Sequence, residues 1–175
     1  MPTIGELIER LGLSPLTGEG GMFRRTYLSG QMLSREAFSN RYPEEKPAGS
    51  AIMYLVSPRC YSRLHRLPTD EVYHFYLGDA VQLFLIPPEG EPYTVTLGQD
   101  IMNGMDVQYT VPAGYWQGSR LVDGGDWALL GTTMAPAYSD SDYEDAPAEK
   151  LMAEYSPWAE EIQRLTVPAQ FDELS

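Results

Sequence analysis

Apolar positions recur at two spacings along this chain, and each spacing predicts its own kind of element. Ile4, Leu7, Ile8 and Leu11 fall at i, i+3, i+4 and i+7, with Thr3 before them, Glu6 three residues after Thr3, and Gly12 just past the end. That is an amphipathic helix with a capping box at its start and a glycine stop. Residues 13–21, broken by Pro15, Gly18, Gly20 and Gly21, predict no regular element. From Met22 onward short β-branched and aromatic runs take over. Strands are expected at 22–29, 50–56, 62–67, 71–77, 80–86, 93–97, 106–111, 116–121 and 127–134. Turn residues separate the later ones: Pro68 to Asp70, Gly78-Asp79, Pro87 to Gly90, Pro112 to Gly114, and Asp123 to Gly125. Residues 34–49 mix charges with Pro43, Pro47 and Gly49 and read as a surface excursion. Many short strands with regular punctuation mean a β-sandwich or barrel.

Beyond Met134 the pattern turns helical. One helix is expected at 148–155. A second follows Ser156 as N-cap and Pro157 as first residue, with Trp158, Ile162 and Leu165 as its apolar stripe. Both are expected to pack outside the barrel rather than to take part in a site. The chain of 175 residues reads as one domain, 1–175, with a barrel over about 20–136 and a helical extension over about 138–170.

Charge narrows the partners. Twelve bases against 25 acids give a net charge of −13, which argues against nucleic acid or an anionic membrane as partner. Residues 138–175 carry −8 of it, read as a solvated helical face rather than an acidic recognition element. Cys60 is the only cysteine, and no apolar run approaches the roughly 18 residues of a membrane span. The expectation is a soluble, cytoplasmic protein. There is no internal repeat, phosphate-binding glycine loop or zinc-finger spacing.

The candidate chemistry gathers in residues 62–78, which hold both histidines. Side chains two apart on a strand share a face, so Arg63, His65 and Leu67 point one way, and Glu71, Tyr73, Phe75 and Leu77 share a face of the next strand. The turn at Pro68 to Asp70 is expected to fold the second strand back on the first. If both sets face inward, an imidazole and a carboxylate stand together in an apolar interior that perturbs their protonation. His74 has the opposite parity and belongs on the other face.

His65, Glu71 and Gly78 also carry the spacing of the first cupin motif, with Leu67 in place of its second histidine. Pro112-Ala-Gly-Tyr-Trp-Gln117 approximates the second motif, Pro-x-Gly-x-x-His, with glutamine for histidine. The chain as a whole resembles the family-5 branch of the cupin superfamily, through segments 13–27, 51–55, 62–65, 70–78, 97–98, 111–117, 134–136 and 162–166. The resemblance implies a mostly β fold: a double-stranded β-helix barrel with an N-terminal helix and C-terminal helices outside. It also implies a homodimer through sheet edges and a pocket like those of sugar-nucleotide epimerases. It implies no reaction, because the branch has no agreed general activity. Two places depart from the pattern. Thr17-Gly18 replaces a proline or His-Pro pair before Glu19-Gly20-Gly21, so no role is assigned to that loop, and Pro136-Ala137-Tyr138 replaces Pro-Gly-Phe.

A cupin metal site uses three histidines and a glutamate. Here His65, Glu71 and Gln117 remain, one imidazole with a carboxylate and a weakly ligating amide. No cofactor is expected, and a divalent ion, were one to bind, would use those three residues. The leading expectation is a cupin that binds a small polar ligand, carbohydrate-like or carboxylated. It would act as a metal-independent isomerase or epimerase, with His65 as base, Glu71 as its orienting partner and Gln117 as a hydrogen-bonder to the ligand. Tyr54, Tyr73 and Tyr115 are candidate phenolic donors, and Phe75 shares the ligand-facing side. Arg63 is favoured by parity for an anionic group, and Arg66 is a weaker candidate. One of Arg24 and Arg25 must also face inward; the pattern leaves open which, and Arg24 is the candidate named. Trp116 fits stacking on a sugar. The competing readings are a non-catalytic binding or sensor module and a metal-dependent oxygenase or lyase.

Overall fold

The structure, a computed structural model, describes residues 2–38, 41–168 and 170–171. Asn40 and Ser39 of the expected excursion, and Asp172 and Glu173 of the acidic tail, lie outside the described residues. Helix α1 spans Ile4–Leu11, with the Thr3–Glu6 capping box formed and Gly12 in the left-handed conformation at its end.

Thirteen strands follow among the described residues: β1 Ser14–Pro15, β2 Met22–Leu28, β3 Met32–Leu33, β4 Lys46–Pro47, β5 Ser50–Val56, β6 Ser62–Arg66, β7 Glu71–Gly78, β8 Val81–Ile86, β9 Tyr93–Leu97, β10 Gln108–Val111, β11 Trp116–Leu121, β12 Ala128–Met134 and β13 Glu144–Asp145. Helices α2, Ala148–Glu154, and α3, Ala159–Arg164, close the chain. The nine longer strands match the expected runs to within two residues at either end. The two-residue strands β1, β3, β4 and β13 carry too few positions for a period to show.

A six-stranded sheet, ordered β1-β2-β5-β12-β7-β10, faces a five-stranded sheet, ordered β13-β6-β11-β8-β9. Between them lies the barrel core of Tyr54, Val56, Tyr73, Phe75, Leu83, Leu85, Leu97 and Leu130 with their neighbours. Burying a side chain of this kind fully contributes roughly 1.5–3 kcal/mol. The outer faces are covered separately. Leu7 and Leu13 pack on Met22, Leu55 and Leu129 outside the first sheet, whereas Leu151, Ile162 and Leu165 pack on Leu64, Phe84 and Ile86 outside the second. Each strand thus has two apolar faces where helices lie over it, which blurs strict alternation in runs such as Val81–Ile86.

Three expectations need correction. β6 and β7 do not pair: they belong to opposite sheets. The turn between them is a corner, held where Gly114 N–H donates to Leu67 O at 2.9 Å and Ala113 N–H to Asp70 Oδ1 at 2.7 Å. Its partner is the β10–β11 turn, a contact made across some 40 residues that local pattern cannot show. Residues 34–49 are not all surface, since Tyr42 and Lys46 are buried. Ser156 makes no capping bond; it lies in a 3-10 turn, Ser156–Trp158, that α2 enters directly and α3 continues.

Candidate functional site

Register sets which side chains enter the barrel. Gln117 lies opposite both His65 of β6 and Leu85 of β8, a core residue, so Gln117 and His65 point inward. On the facing sheet Glu71, Tyr73 and Phe75 alternate inward along β7. Because a corner separates them, His65 and Glu71 approach from opposite walls. Glu71 Oε2 accepts from Gln117 Nε2 at 2.8 Å. His65 Nδ1 lies 2.7 Å from Arg63 O; a carbonyl only accepts, so Nδ1 carries the proton and Nε2 presents a lone pair. That Nε2 is buried with no partner, as are Gln117 Oε1, the Tyr73 hydroxyl and Ser119 Oγ. Burial holds the imidazole below its ordinary pKa, against the opposing charge of Glu71.

The cavity of about 350 Å³ opens on the six-stranded side. Its wall includes Phe23 and Arg25 of β2, Ile52 and Tyr54 of β5, Glu71 and Tyr73 of β7, and Thr132 of β12. His65 and Gln117 do not line it; Gln117 bonds Glu71, which does. Phe75 is core, and Tyr115 packs against that core without reaching the cavity.

A second carboxylate enters from the loop before β2. Glu19 lines the cavity, and its Oε1 accepts from Ser62 Oγ at 3.0 Å. The loop is clamped to β6, because Arg63 N–H donates to Glu19 O and its Nη1 to Gly18 O, both at 2.8 Å. The Tyr54 hydroxyl donates to Gly20 O at 2.8 Å. Gly21, at φ 75°, lies flat on the Tyr54 ring where a Cβ would overlap it. These contacts explain why glutamate is followed here by two glycines. Burial pushes Glu19 up to about 7 against the lowering bond from Ser62. Burial, then the charge of Glu19, pushes Glu71 to about 7 against His65, Thr132 and Gln117. Burial is the leading cause for both carboxyls, and each favours its protonated form. Tyr54 and Tyr73, raised well above the usual phenol range by burial, stay protonated, and only the Tyr73 hydroxyl is left without a partner.

The mouth is built by residues that pattern analysis set aside. Tyr138, Ser139 and Asp140 line the cavity, so the segment after β12 is part of the site although α2 and α3 are not. Lys46 holds it: its ammonium bonds Ala137 O at 3.1 Å, Ser139 Oγ at 2.7 Å and the Asp142 carboxylate, with both charged side chains buried.

Several named candidates lie elsewhere. Arg25 stands opposite Ile52 and lines the cavity, whereas Arg24 stands opposite Met53 on the outer face, beside Gly12. Parity alone could not choose, because which face of β2 turns inward is set by its pairing with β5. Arg63 is engaged with the Glu19 loop and with Asp145 at 3.4 Å, and Arg66 pairs Glu144 at 2.7 Å over the outward-facing Trp116 ring. His74 lies on the outer face: Gln108 Nε2 donates to its Nδ1 at 3.0 Å, so its Nε2–H donates to Thr133 Oγ1, also at 3.0 Å. Tyr143, unnamed in the sequence reading, stacks on His65 with ring centroids 5.1 Å apart.

For a metal the donor set fits poorly. Among the described residues no three His, Cys, Asp or Glu side chains are grouped to hold an ion. Gln117 turns its amide nitrogen toward Glu71, Leu67 supplies no donor, and His65 alone offers a free imidazole nitrogen.

Two facing antiparallel sheets with inward motif residues at the ends of β6, β7 and β11 define a cupin barrel. The match to the family described as "Cupin superfamily (DUF985)" runs over residues 5–146, and the chain belongs to that family. It is similar to protein SO0799 from Shewanella oneidensis, at 30% identity and a TM-score of 0.83, covering 96% of this chain and 99% of that one. A hypothetical protein from Leishmania major is similar at 28% identity and TM-score 0.81, covering 94% and 98%. Oxalate decarboxylase from Bacillus subtilis, at 13% identity and TM-score 0.51 over 87% of this chain and 37% of that one, shares the fold. No curated protein matches the chain. No helix among the described residues is long and apolar enough to cross a membrane.

Proposed function

We propose that the barrel cavity binds a small polar ligand, carbohydrate-like or carboxylated, and exchanges a proton with it at Glu71 in a metal-independent isomerisation or epimerisation. The observation that carries this reading is the position of Glu71. It is the ionisable group that both lines the cavity and bonds Gln117, with the free lone pair of His65 behind it. A carboxyl held near neutral by burial is suited to both taking and returning a proton. This reassigns the base from His65 to Glu71; His65 becomes a buried neutral acceptor behind it. Tyr73, protonated at neutral pH and with no partner for its hydroxyl, is the donor on the same wall, whereas Tyr54 spends its hydrogen on Gly20 O.

The test couples binding to exchange. Compounds that raise the melting temperature are incubated with the protein in deuterium oxide, and mass spectrometry follows deuterium entering carbon. Glu71→Gln is expected to abolish entry while preserving the fold; entry unchanged in that variant would remove Glu71 from the role. The second reading, a binding or sensor module without turnover, is favoured by the complete burial of His65 away from the cavity wall. It predicts saturable stabilisation with no deuterium entry for any compound.

A further inference from the structure

We propose that the ligand of this cavity carries an oxyanion, a carboxylate or a phosphate, held by Arg25 at the mouth, while an uncharged oxygen at its other end accepts from Tyr73. The inference rests on the reading of the cavity as a ligand site and goes beyond it by fixing the ligand's charge and which of its ends lies at Glu71.

Register places the two groups. Across the six-stranded sheet Arg25 stands opposite Ile52, Ile52 opposite Thr132, and Thr132 opposite Tyr73, and all four line the cavity. They form one row over four strands. Neighbouring strands lie about 4.8 Å apart and side chains stand roughly perpendicular to a sheet, so the ends of the row are on the order of 14 Å apart at the backbone. Glu71, two residues before Tyr73 and on the same face, lies at the Tyr73 end.

Both ends present donors without a partner. The hydroxyl of Tyr73 is unbonded although the residue is only 1% exposed. Arg25 is exposed at the cavity edge and has neither ion pair nor hydrogen bond among the described residues. Other bases near the site are spent: Lys46 on Asp142, Arg63 on Gly18 O and Asp145, and Arg66 on Glu144. A guanidinium forks onto the oxygens of a carboxylate or phosphate, whereas a phenol donates one hydrogen to one oxygen. Charge then sets the orientation. Glu19, Glu71 and Asp140 line the same cavity, and the chain carries −13 overall, so an anion is favoured only beside Arg25. The uncharged end goes to Tyr73 and brings its carbon to Glu71.

The test is calorimetry with D-glucose, D-glucuronate and D-glucose 6-phosphate, and with D-fructose and D-fructose 6-phosphate. At least one anionic sugar is expected to bind about tenfold or more tightly than its neutral parent, with the preference shrinking as salt rises. The carboxylate and phosphate arms decide between the two oxyanions. Arg25→Gln should bring that anion down to the affinity of its parent while the melting temperature is kept. Arg24→Gln removes the same charge from the outer face, beside Met53 in the register, and should change affinity by less than about twofold. Tyr73→Phe should weaken the anion and its parent by the same factor and leave the preference intact. Neutral sugars binding as tightly as anionic ones, or Arg24→Gln weakening the anion as much as Arg25→Gln, would overturn the inference and leave the cavity reading standing. Binding by none of these compounds also overturns it, and the deuterium screen then decides the cavity reading separately.

Discussion

The two sheets of this barrel share an alternation and differ in what they turn inward. From the six-stranded sheet, Arg25, Tyr54, Glu71, Tyr73 and Thr132 reach the cavity; among the described residues no strand residue of the five-stranded sheet does. The second sheet turns in Val81, Leu83, Leu85 and Leu121, with His65, Gln117 and Ser119 as a polar inset behind Glu71. One wall lines the cavity, and the other holds that wall's central carboxylate. Outside the strands the asymmetry continues, since the segment bearing Tyr138 to Asp140 is fixed by a buried ion pair, while the edge strand β13 is fixed by the exposed pair Arg66–Glu144.

The sharpest way to break the comparison is to cut those two pairs. Lys46→Met leaves Asp142 buried without a countercharge and is expected to lose about 3–5 kcal/mol in urea unfolding, whereas Arg66→Ala should cost no more than about 1 kcal/mol. Equal losses would mean that the mouth segment is not held by Lys46. Next in size is Gly21→Ala, which forces a Cβ into Tyr54 at a left-handed backbone position. Strain and overpacking together predict roughly 2–4 kcal/mol, and a near-neutral result would show that the Glu19 loop is not seated on Tyr54.

A smaller effect tests the carboxyl pair. Carboxyls raised from 4.5 to about 7 bind protons more tightly folded than unfolded. Their contribution to stability is therefore complete below about pH 4.5 and is lost as pH rises to about 7. His65, held low by burial, works in the opposite sense as pH rises toward its ordinary value of 6.5. The difference between wild type and Glu19→Gln isolates the pair. The variant should gain on the order of 1–2 kcal/mol relative to wild type at pH 8 compared with pH 4.5. A gain independent of pH would mean that burial does not raise Glu19. The smallest effect is expected at His74, where His74→Gln on the outer face should leave ligand affinity unchanged within about twofold; a larger change would return that residue to the site.

Much of this was legible from residue order alone. The capped helix, the nine longer strands and the shared faces of His65 on one strand and of Glu71 and Tyr73 on the next follow from periods of 3.6 and 2, which are properties of the backbone itself, whereas Gln117 came from the motif spacing. So does the placing of His74 on the opposite face, where its bonds to Gln108 and Thr133 hold it. Tertiary structure decided what depends on contacts between distant segments. It made the turn after β6 a corner rather than a hairpin, which sets His65 and Glu71 on opposite walls. Pairing of Phe23 with Tyr54 and of Arg25 with Ile52 chose Arg25 over Arg24, and a loop with no period brought Glu19 to the cavity, marked in the sequence only by the two glycines after it. It closed the mouth with Tyr138 to Asp140 through Lys46, across 91 to 96 residues of chain. Local patterning determines which way a side chain points from its own strand, and packing across the barrel determines what it meets there.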